Sequence, residues 1–152
     1  MNLSFIIPTL NEERTLLSNL IFLKRIRKYL NAELIVVDGG SHDSTVNIAK
    51  TLSCNVYISE PSRSKQFNLG AKHASGKYLV FLHADTILDN DAIDHLKKIK
   101  KNTQWGFFSI KIKSNNCKHK ILSALINIRS RLFNYATGDQ VMIVENNFFY
   151  RV

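Results

Sequence analysis

Short apolar runs alternate along this chain with stretches in which apolar residues recur every three or four positions. Continuous runs bounded by turn residues suit strands covered on both faces, and the wider spacing suits one face of a helix. Residues 3–7 read as a first strand stopped by Pro8. Thr9-Leu10-Asn11-Glu12 then fits a capping box, with the Thr9 hydroxyl and the Glu12 carboxylate satisfying reciprocal backbone donors, ahead of a helix carrying Leu16, Leu17, Leu20, Leu23 and Ile26. A second strand over 34–37 ends at Asp38, Asp43 or Ser44 caps a short helix over 46–52, and 54–58 is a third strand. A helix over 64–74 ends at Gly76, and 78–82 is a fourth buried strand.

Beyond Asp85 the pattern loosens. A helix over 90–101 has acids first (Asp91, Asp94) and lysines last, which complements its dipole. Residues 105–112 read as a strand or hairpin arm. Over 117–136, Ile121, Leu122, Leu125, Ile128, Leu132 and Tyr135 recur at helical spacing, with Lys120, Ser123, Asn127, Arg131 and Asn134 on the other face. Such a stripe ordinarily packs on the core; flanked by bases, it can instead lie on an anionic membrane. A last strand covers 140–144. The βαβα rhythm predicts an α/β fold, a Rossmann-like, mostly parallel sheet flanked by helices.

At 152 residues and 45% apolar composition the chain is one domain that buries roughly two-thirds of its unfolded surface, which excludes a disordered tail. Six Gly and two Pro exclude collagen or low-complexity sequence. Cys54 and Cys117 are too few for a disulfide framework and lack metal-ligand spacing, so a reducing compartment is expected. The amino terminus has neither the basic start nor the long apolar core of a signal peptide, and no apolar stretch approaches about 18 residues. The expected location is the cytoplasm, free or peripheral on the inner face of a membrane.

The net charge of +9 is unevenly spread: residues 95–138 hold ten Lys/Arg and no acid, and the remainder holds eleven Lys/Arg and twelve acids. That asymmetry points either to an anionic partner for one face or to a solvated basic surface. Nucleic acid is disfavoured as the partner, because Trp105, Phe107 and Phe108 are one compact strand and not an interleaved stacking surface.

Function is expected at the carboxyl ends of the strands, which share one edge of a parallel sheet. Pro8-Thr9, Asp38-Gly39-Gly40 and His83-Ala84-Asp85 all fall there. Each has an ordinary structural reading, as a turn cap, a turn glycine or a buried histidine; their convergence predicts a site. The first strand is followed by no G-x-G-x-x-G, and no Walker A sequence occurs. Phosphates can still be held by Arg63, Lys65 and helix amino-terminal N–H groups, with a divalent cation on Asp85.

Four motifs in order over residues 4–86 carry a resemblance: Phe5-Ile6-Ile7-Pro8-Thr9-Leu10-Asn11-Glu12-Glu13, Val36-Val37-Asp38-Gly39-Gly40-Ser41, Arg63-Ser64-Lys65-Gln66-Phe67-Asn68, and Phe81-Leu82-His83-Ala84-Asp85-Thr86. Together they resemble family 2 glycosyltransferases of the GT-A fold. The likeness is closer to a bacterial subgroup with H-A-D-T in place of D-x-D and a later G-D-Q, here Gly138-Asp139-Gln140. The resemblance implies binding of a nucleoside diphosphate sugar, commonly a UDP-sugar, with transfer to a sugar or lipid-linked acceptor and inversion at the anomeric carbon. It assigns Pro8, Thr9 and Glu12, with Gly39 and Ala84, to the nucleotide-sugar pocket, and Asp38 to a hydrogen bond with the base. Lys65 and Arg63 would face the base or diphosphate. Asp85 would coordinate Mg²⁺ or Mn²⁺ bridging the phosphates; His83, where the first aspartate usually stands, would favour Mn²⁺ as a second ligand.

Relatives continue past this point into a Gly-Gly-Phe-like turn and a Glu-Asp pair that supplies the catalytic base, whereas this sequence stops at Val152. The expectation is a carboxyl-terminally truncated domain over 1–152, with a nucleotide-sugar half (1–88) and an incomplete acceptor-side half (89–152). The catalytic base is unassigned; Asp139 is a better candidate than Glu145. Truncation predicts exposed apolar surface at Phe148 and Phe149, marginal stability and weakened transfer, or completion by a partner or a second copy. Two other readings stand beside the transferase: a non-catalytic nucleotide-sugar-binding module, and a basic protein contacting anions or a membrane surface through 95–138.

Overall fold

A strand buried along its whole length needs a neighbour on each side and a helix layer over each face. β1 (Leu3–Thr9) is such a strand in the computed structural model, which describes residues 2–99, 102–112, 116–133, 135–136 and 140–151 apart from the Lys120 side chain. It is followed by α1 (Glu13–Leu30), β2 (Ala32–Asp38), α2 (Thr45–Thr51), β3 (Asn55–Ile58), α3 (Arg63–His73) and β4 (Tyr78–Phe81). α4 (Asn90–Lys97), β5 (Trp105–Phe107), α5 (Cys117–Phe133), β6 (Met142–Glu145) and α6 (Asn146–Phe149) complete the chain. The sheet order is β3-β2-β1-β4-β6-β5; the first four strands are parallel, and β6 runs antiparallel to both β4 and β5.

Side chains alternate across the sheet. Leu3, Phe5 and Ile7 meet Leu16, Leu20 and Leu23 of α1 and Ala92, Ile93 and Leu96 of α4 in one apolar layer. Ile6 joins Ile35, Val37, Leu79 and Phe81 beneath Ala71 and Phe67 of α3 in the other. Phe149 closes the second layer, its ring 5.5 Å from that of Phe81, so Phe148 and Phe149 are half-buried where the sequence predicts exposure. Among the described residues no helix is long and apolar enough to cross a membrane.

Several local expectations are corrected by tertiary contacts. Pro8 does not stop β1, which runs on to Thr9 beside β2. The pairing with β4 has already ended at Ile6, so the missing Pro8 N–H faces no ladder on that side. The capping box does not form: the Thr9 hydroxyl donates to Asp38 (2.9 Å), and the Glu12 carboxylate accepts from Thr15 (2.7 Å). The amino-terminal donors of α1 are met from the β2–α2 loop instead, Glu12 N–H by Thr45 Oγ1 (2.8 Å) and Glu13 N–H by Asp43 Oδ2 (3.2 Å). At α2 it is Asp43 that accepts from Thr45 N–H (2.9 Å), while Ser44 makes no side-chain cap. This hydrogen bonding with Thr45 holds the Asp43 carboxyl below its ordinary range.

The strand predicted over 105–112 ends at Phe107, and the backbone beyond it turns to α5. Asn127 accepts from Ile110 N–H (2.9 Å) and donates to Ile110 O (2.8 Å), and Ser123 Oγ accepts from Ile112 N–H (3.1 Å). Backbone groups that leave a sheet need partners, and satisfying these turns the polar side of α5 inward. Ser123 and Ser130 are buried, while Ile121, Leu122, Leu125, Ile128 and Leu132, expected to pack on the core, are exposed.

The edge of the sheet at the strand amino termini is held by a buried carboxylate. Glu33 Oε1 accepts from Ser4 Oγ (2.6 Å), Ser75 N–H (2.7 Å) and Ser75 Oγ (2.8 Å). Gly76 N–H donates to Ser4 Oγ (2.9 Å), and a Cβ at Gly76 would lie 2.6 Å from the Leu3 carbonyl carbon. Burial pushes the Glu33 carboxyl up, but the donors around it outweigh that and hold it below the ordinary 4.5. A carboxyl with a depressed folded value contributes stability that is present above about pH 4.5 and lost as pH falls through the folded value. Urea unfolding from pH 6 down to about 3 is therefore expected to show a decline below about 4.5 that Glu33→Gln flattens.

On the opposite face α3 lies close enough to β1 that a Cβ at Gly70 would sit 2.3 Å from Ile6 Cγ2. Gly70→Ala is expected to destabilise by about 1–3 kcal/mol despite the better helix former, lowering the thermal midpoint by roughly 2–10 °C.

Candidate functional site

β2 and β3 lie on one side of β1 and β4 on the other, so the winding of the sheet reverses between β1 and β4. In open α/β sheets the crevice beyond the carboxyl ends at that reversal is where ligands bind. Thr9, ending β1, and Leu82-His83-Ala84, following β4, border it; Leu82 N–H donates to Ile6 O (3.1 Å) and keeps the two chains together past the last registered pair.

The floor of this edge is a closed turn around Asp38. The Asp38 carboxylate is 1% exposed and accepts four hydrogen bonds, from Thr9 Oγ1 (2.9 Å), Ser41 Oγ (2.5 Å), Gly40 N–H (2.9 Å) and Ser41 N–H (2.7 Å). Gly40 takes φ +92°, in the left-handed region, which lets the turn close. Gln66 reaches in from α3, its amide donating 2.8 Å bonds to the carbonyls of Thr9 and Val37. A Cβ at Gly39 would lie 3.1 Å from Pro61 Cα and 3.3 Å from the Gln66 amide nitrogen, so a larger residue there would press on that layer. The carboxylate that the family resemblance assigns to the base also orders this loop.

The wall is the His83-Ala84-Asp85 turn. Asn19 of α1, buried between Leu16, Leu20 and Leu23, donates through Nδ2 to Ala84 O (3.0 Å) and His83 O (3.3 Å). Thr86 N–H closes the turn on His83 O (3.1 Å), and the His83 ring stands edge-on to Phe67 at 6.0 Å. Ala84 is buried beneath while Asp85 is exposed. Asp85 opens onto a cleft of about 1140 Å³ that Glu12, Arg63 and His83 also line, with residues 107–112 and Arg131 forming the far side.

The structure therefore separates the expected residues into two tiers. Glu12, Arg63, His83, Ala84 and Asp85 share the cleft, while Pro8, Thr9, Asp38 and Gly39 are buried behind it as support. Lys65 is not brought in: it is exposed and ion-paired with Glu60. Asp139 lies outside the described residues. Asn19 and Gln66 carry the arrangement without having been singled out as site residues, and the signal for Asn19 is an amide inside an otherwise apolar helix stripe. Among the described residues no group of three His, Cys, Asp or Glu forms a ready-made metal cage. The exposed Asp85 carboxylate is an oxygen donor that suits Mg²⁺ or Mn²⁺, and an imidazole at His83 would favour the transition ion.

A mostly parallel sheet whose winding reverses beside a polar cleft defines an open, doubly wound α/β domain. Residues 4–150 match the model of Glycosyl transferase family 2, and the chain belongs to that family. It is 32% identical over 111 residues to poly-β-1,6-N-acetyl-D-glucosamine synthase of Staphylococcus epidermidis, covering 68% of this chain and 27% of that protein. Among solved structures it superposes on S. aureus TarS with a TM-score of 0.70 at 20% identity, covering 99% of this chain and 49% of that one, which establishes the GT-A fold. The TarS complex with UDP-GlcNAc matches at 26% identity and a TM-score of 0.52, over 62% of this chain and 29% of that one. The chain thus spans about a quarter to a half of the length of these relatives.

The two tiers differ in how they respond to substitution. Gln66→Leu strands two buried carbonyls that it now serves and is expected to cost about 1–3 kcal/mol in urea unfolding, whereas Lys65→Ala, breaking an exposed pair, leaves the midpoint nearly unchanged.

Proposed function

We propose that this chain binds a nucleoside diphosphate sugar, a UDP-sugar, in the cleft and serves as the donor half of an inverting glycosyltransferase. The observation that carries this reading is that Glu12, Arg63 and His83-Ala84-Asp85, from three separate segments, line one cleft at the sheet's reversal point. Two TarS structures support the nucleotide: one holds UDP, at 30% identity over 56% of this chain with a TM-score of 0.50, and the other holds UDP-GlcNAc. A glucosyl-3-phosphoglycerate synthase of Mycobacterium tuberculosis, 19% identical and alike in fold, has been crystallised with Mn²⁺ and UDP.

In this reading Arg63 pairs with diphosphate oxygens, a charge-assisted contact suited to a guanidinium. Asp85, with His83 beside it, would hold a divalent cation, Mn²⁺ or Mg²⁺. When bound, that cation neutralises charge on the departing nucleoside diphosphate. The Asp38 turn keeps the Thr9–Gly39 floor rigid so that base and ribose meet a preformed surface, and Asn19 fixes the direction in which Asp85 projects. The far wall, residues 107–112 with Arg131, belongs to the half that receives the acceptor.

The test is a thermal-shift panel of UDP, GDP, CDP and dTDP, each with and without Mn²⁺, on the chain and on Asp85→Ala. Ligand at 100 times its dissociation constant stabilises by about 2.7 kcal/mol, so UDP with Mn²⁺ is expected to raise the midpoint by roughly 5–10 °C, and Asp85→Ala to abolish the metal-dependent part. No shift from any nucleotide in folded protein would overturn the reading.

A further inference from the structure

α5 is attached to the protein by its polar side. Ser123 and Asn127 bond the backbone of residues 110–112, Ser130 Oγ donates to the buried Gln140 Oε1 (2.9 Å), and Arg131 donates to Ser109 Oγ (3.1 Å). On the opposite side Ile121, Leu125, Ile128 and Leu132 recur at i, i+4, i+7 and i+11. At 100° per residue they occupy an arc of about 60°, centred roughly opposite Ser123 and Ser130. They are 54–72% exposed, and Phe133, at the carboxyl end of the helix, is 74% exposed. A helix that hides serines and shows isoleucines and leucines to solvent has an apolar face still to be covered.

The charges beside the stripe restrict what can cover it. Lys118 and Arg129 border it on one side and Arg131 on the other, all exposed. α5 itself contains no acid, and none occurs anywhere between residues 95 and 138. A second copy of the same helix would set bases against bases, which opposes self-association. An apolar stripe of about 17 Å flanked by bases on both sides complements a surface that is apolar inside and anionic at its rim.

We propose that the outer face of α5 is a docking surface for an anionic phospholipid bilayer, with Ile121, Leu125, Ile128 and Leu132 entering the acyl boundary and Lys118 and Arg129 meeting headgroup phosphates. The four apolar residues do not line the cleft, so the docking surface stands or falls separately from the donor site. Through Arg131 and residues 109–112, however, the same helix backs the cleft's far wall, so a docked α5 would hold the mouth of the site near the lipid surface.

Co-sedimentation of the full chain tests this with vesicles of phosphatidylcholine alone and with about 30 mol% phosphatidylglycerol. Binding is expected to the anionic vesicles only. It should fall about tenfold or more in Leu125→Ser/Leu132→Ser, and by about tenfold in Lys118→Gln/Arg129→Gln, with both variants melting as the parent does. If the first variant melts early, Ile121→Ser/Ile128→Ser on the same stripe gives the same reading. Absence of binding to either vesicle, or binding that the apolar substitutions leave intact, overturns the proposal. So does a dimer, seen by light scattering, that the same substitutions dissociate without any vesicle binding: the stripe's occupant is then a second copy.

Discussion

The site edge of this protein depends on one buried carboxylate. A carboxylate at the end of a strand inside the protein is tolerated only when donors surround it, and Asp38 draws its donors from β1 through Thr9 and from its own loop through Gly40 and Ser41. Meeting that requirement pins the end of β1 to the end of β2 and curls the following loop back toward α1. The loop then supplies Ser41, Asp43 and Thr45 to the backbone of residues 11–13, while Asn11 Oδ1 and Glu13 Oε2 return bonds to His42 N–H (2.9 Å) and Ser44 N–H (3.1 Å). The amino terminus of α1, which lacks a local cap, is thereby satisfied from the β2–α2 segment, and Glu13 supplies a further acceptor at the start of α2. Gln66 and Asn19 extend the scheme to α3 and to the turn after β4, tying α3 to the backbone of β1 and β2 and α1 to the His83-Ala84 turn.

The two ends of the sheet use polar burial for different purposes. At the strand amino termini Glu33, Ser4 and Ser75 form a closed cluster with Gly76. At the carboxyl termini the buried groups form a floor, and the charged ones, Arg63 and Asp85, stand above it in the open. The division follows from parallel topology, which puts all carboxyl ends on one edge and lets several loops contribute there at once. Cys54 belongs to neither set: it is half-buried against the first apolar layer, and burial pushes its thiol up to about 11.

Family membership and site geometry bear on different parts of the chain. The match over residues 4–150 and the superposition on TarS cover both halves. The motifs cluster before residue 87, where the sheet is parallel and closely packed. After it, β6 enters antiparallel between β4 and β5, and α5 sits on the protein through serines and an asparagine. Different physical constraints act on the two halves: the first gathers its polar strand ends on one rigid edge, and the second is held by side-chain hydrogen bonds to a segment that has left the sheet.

By itself the sequence determined the parallel core and the edge on which the polar strand ends gather. Runs such as 34–37 and 78–82 are too apolar and too short to be anything but doubly covered strands, and a strand's polar end residue must lie at its carboxyl edge. Period and run length are local properties of a chain, so local reading recovers them. Tertiary structure decided what depends on which distant group meets a donor. It took the Thr9 hydroxyl from Glu12's helix and gave it to Asp38, buried Asp38 in a closed turn, paired Lys65 with Glu60, and tied Asn19 to the carbonyls of His83 and Ala84. It also reversed α5, because unpaired backbone at 110 and 112 needs hydrogen bonds more specifically than leucines need cover. The helical period shows that two faces exist; only the partner's unmet hydrogen bonds decide which one turns inward.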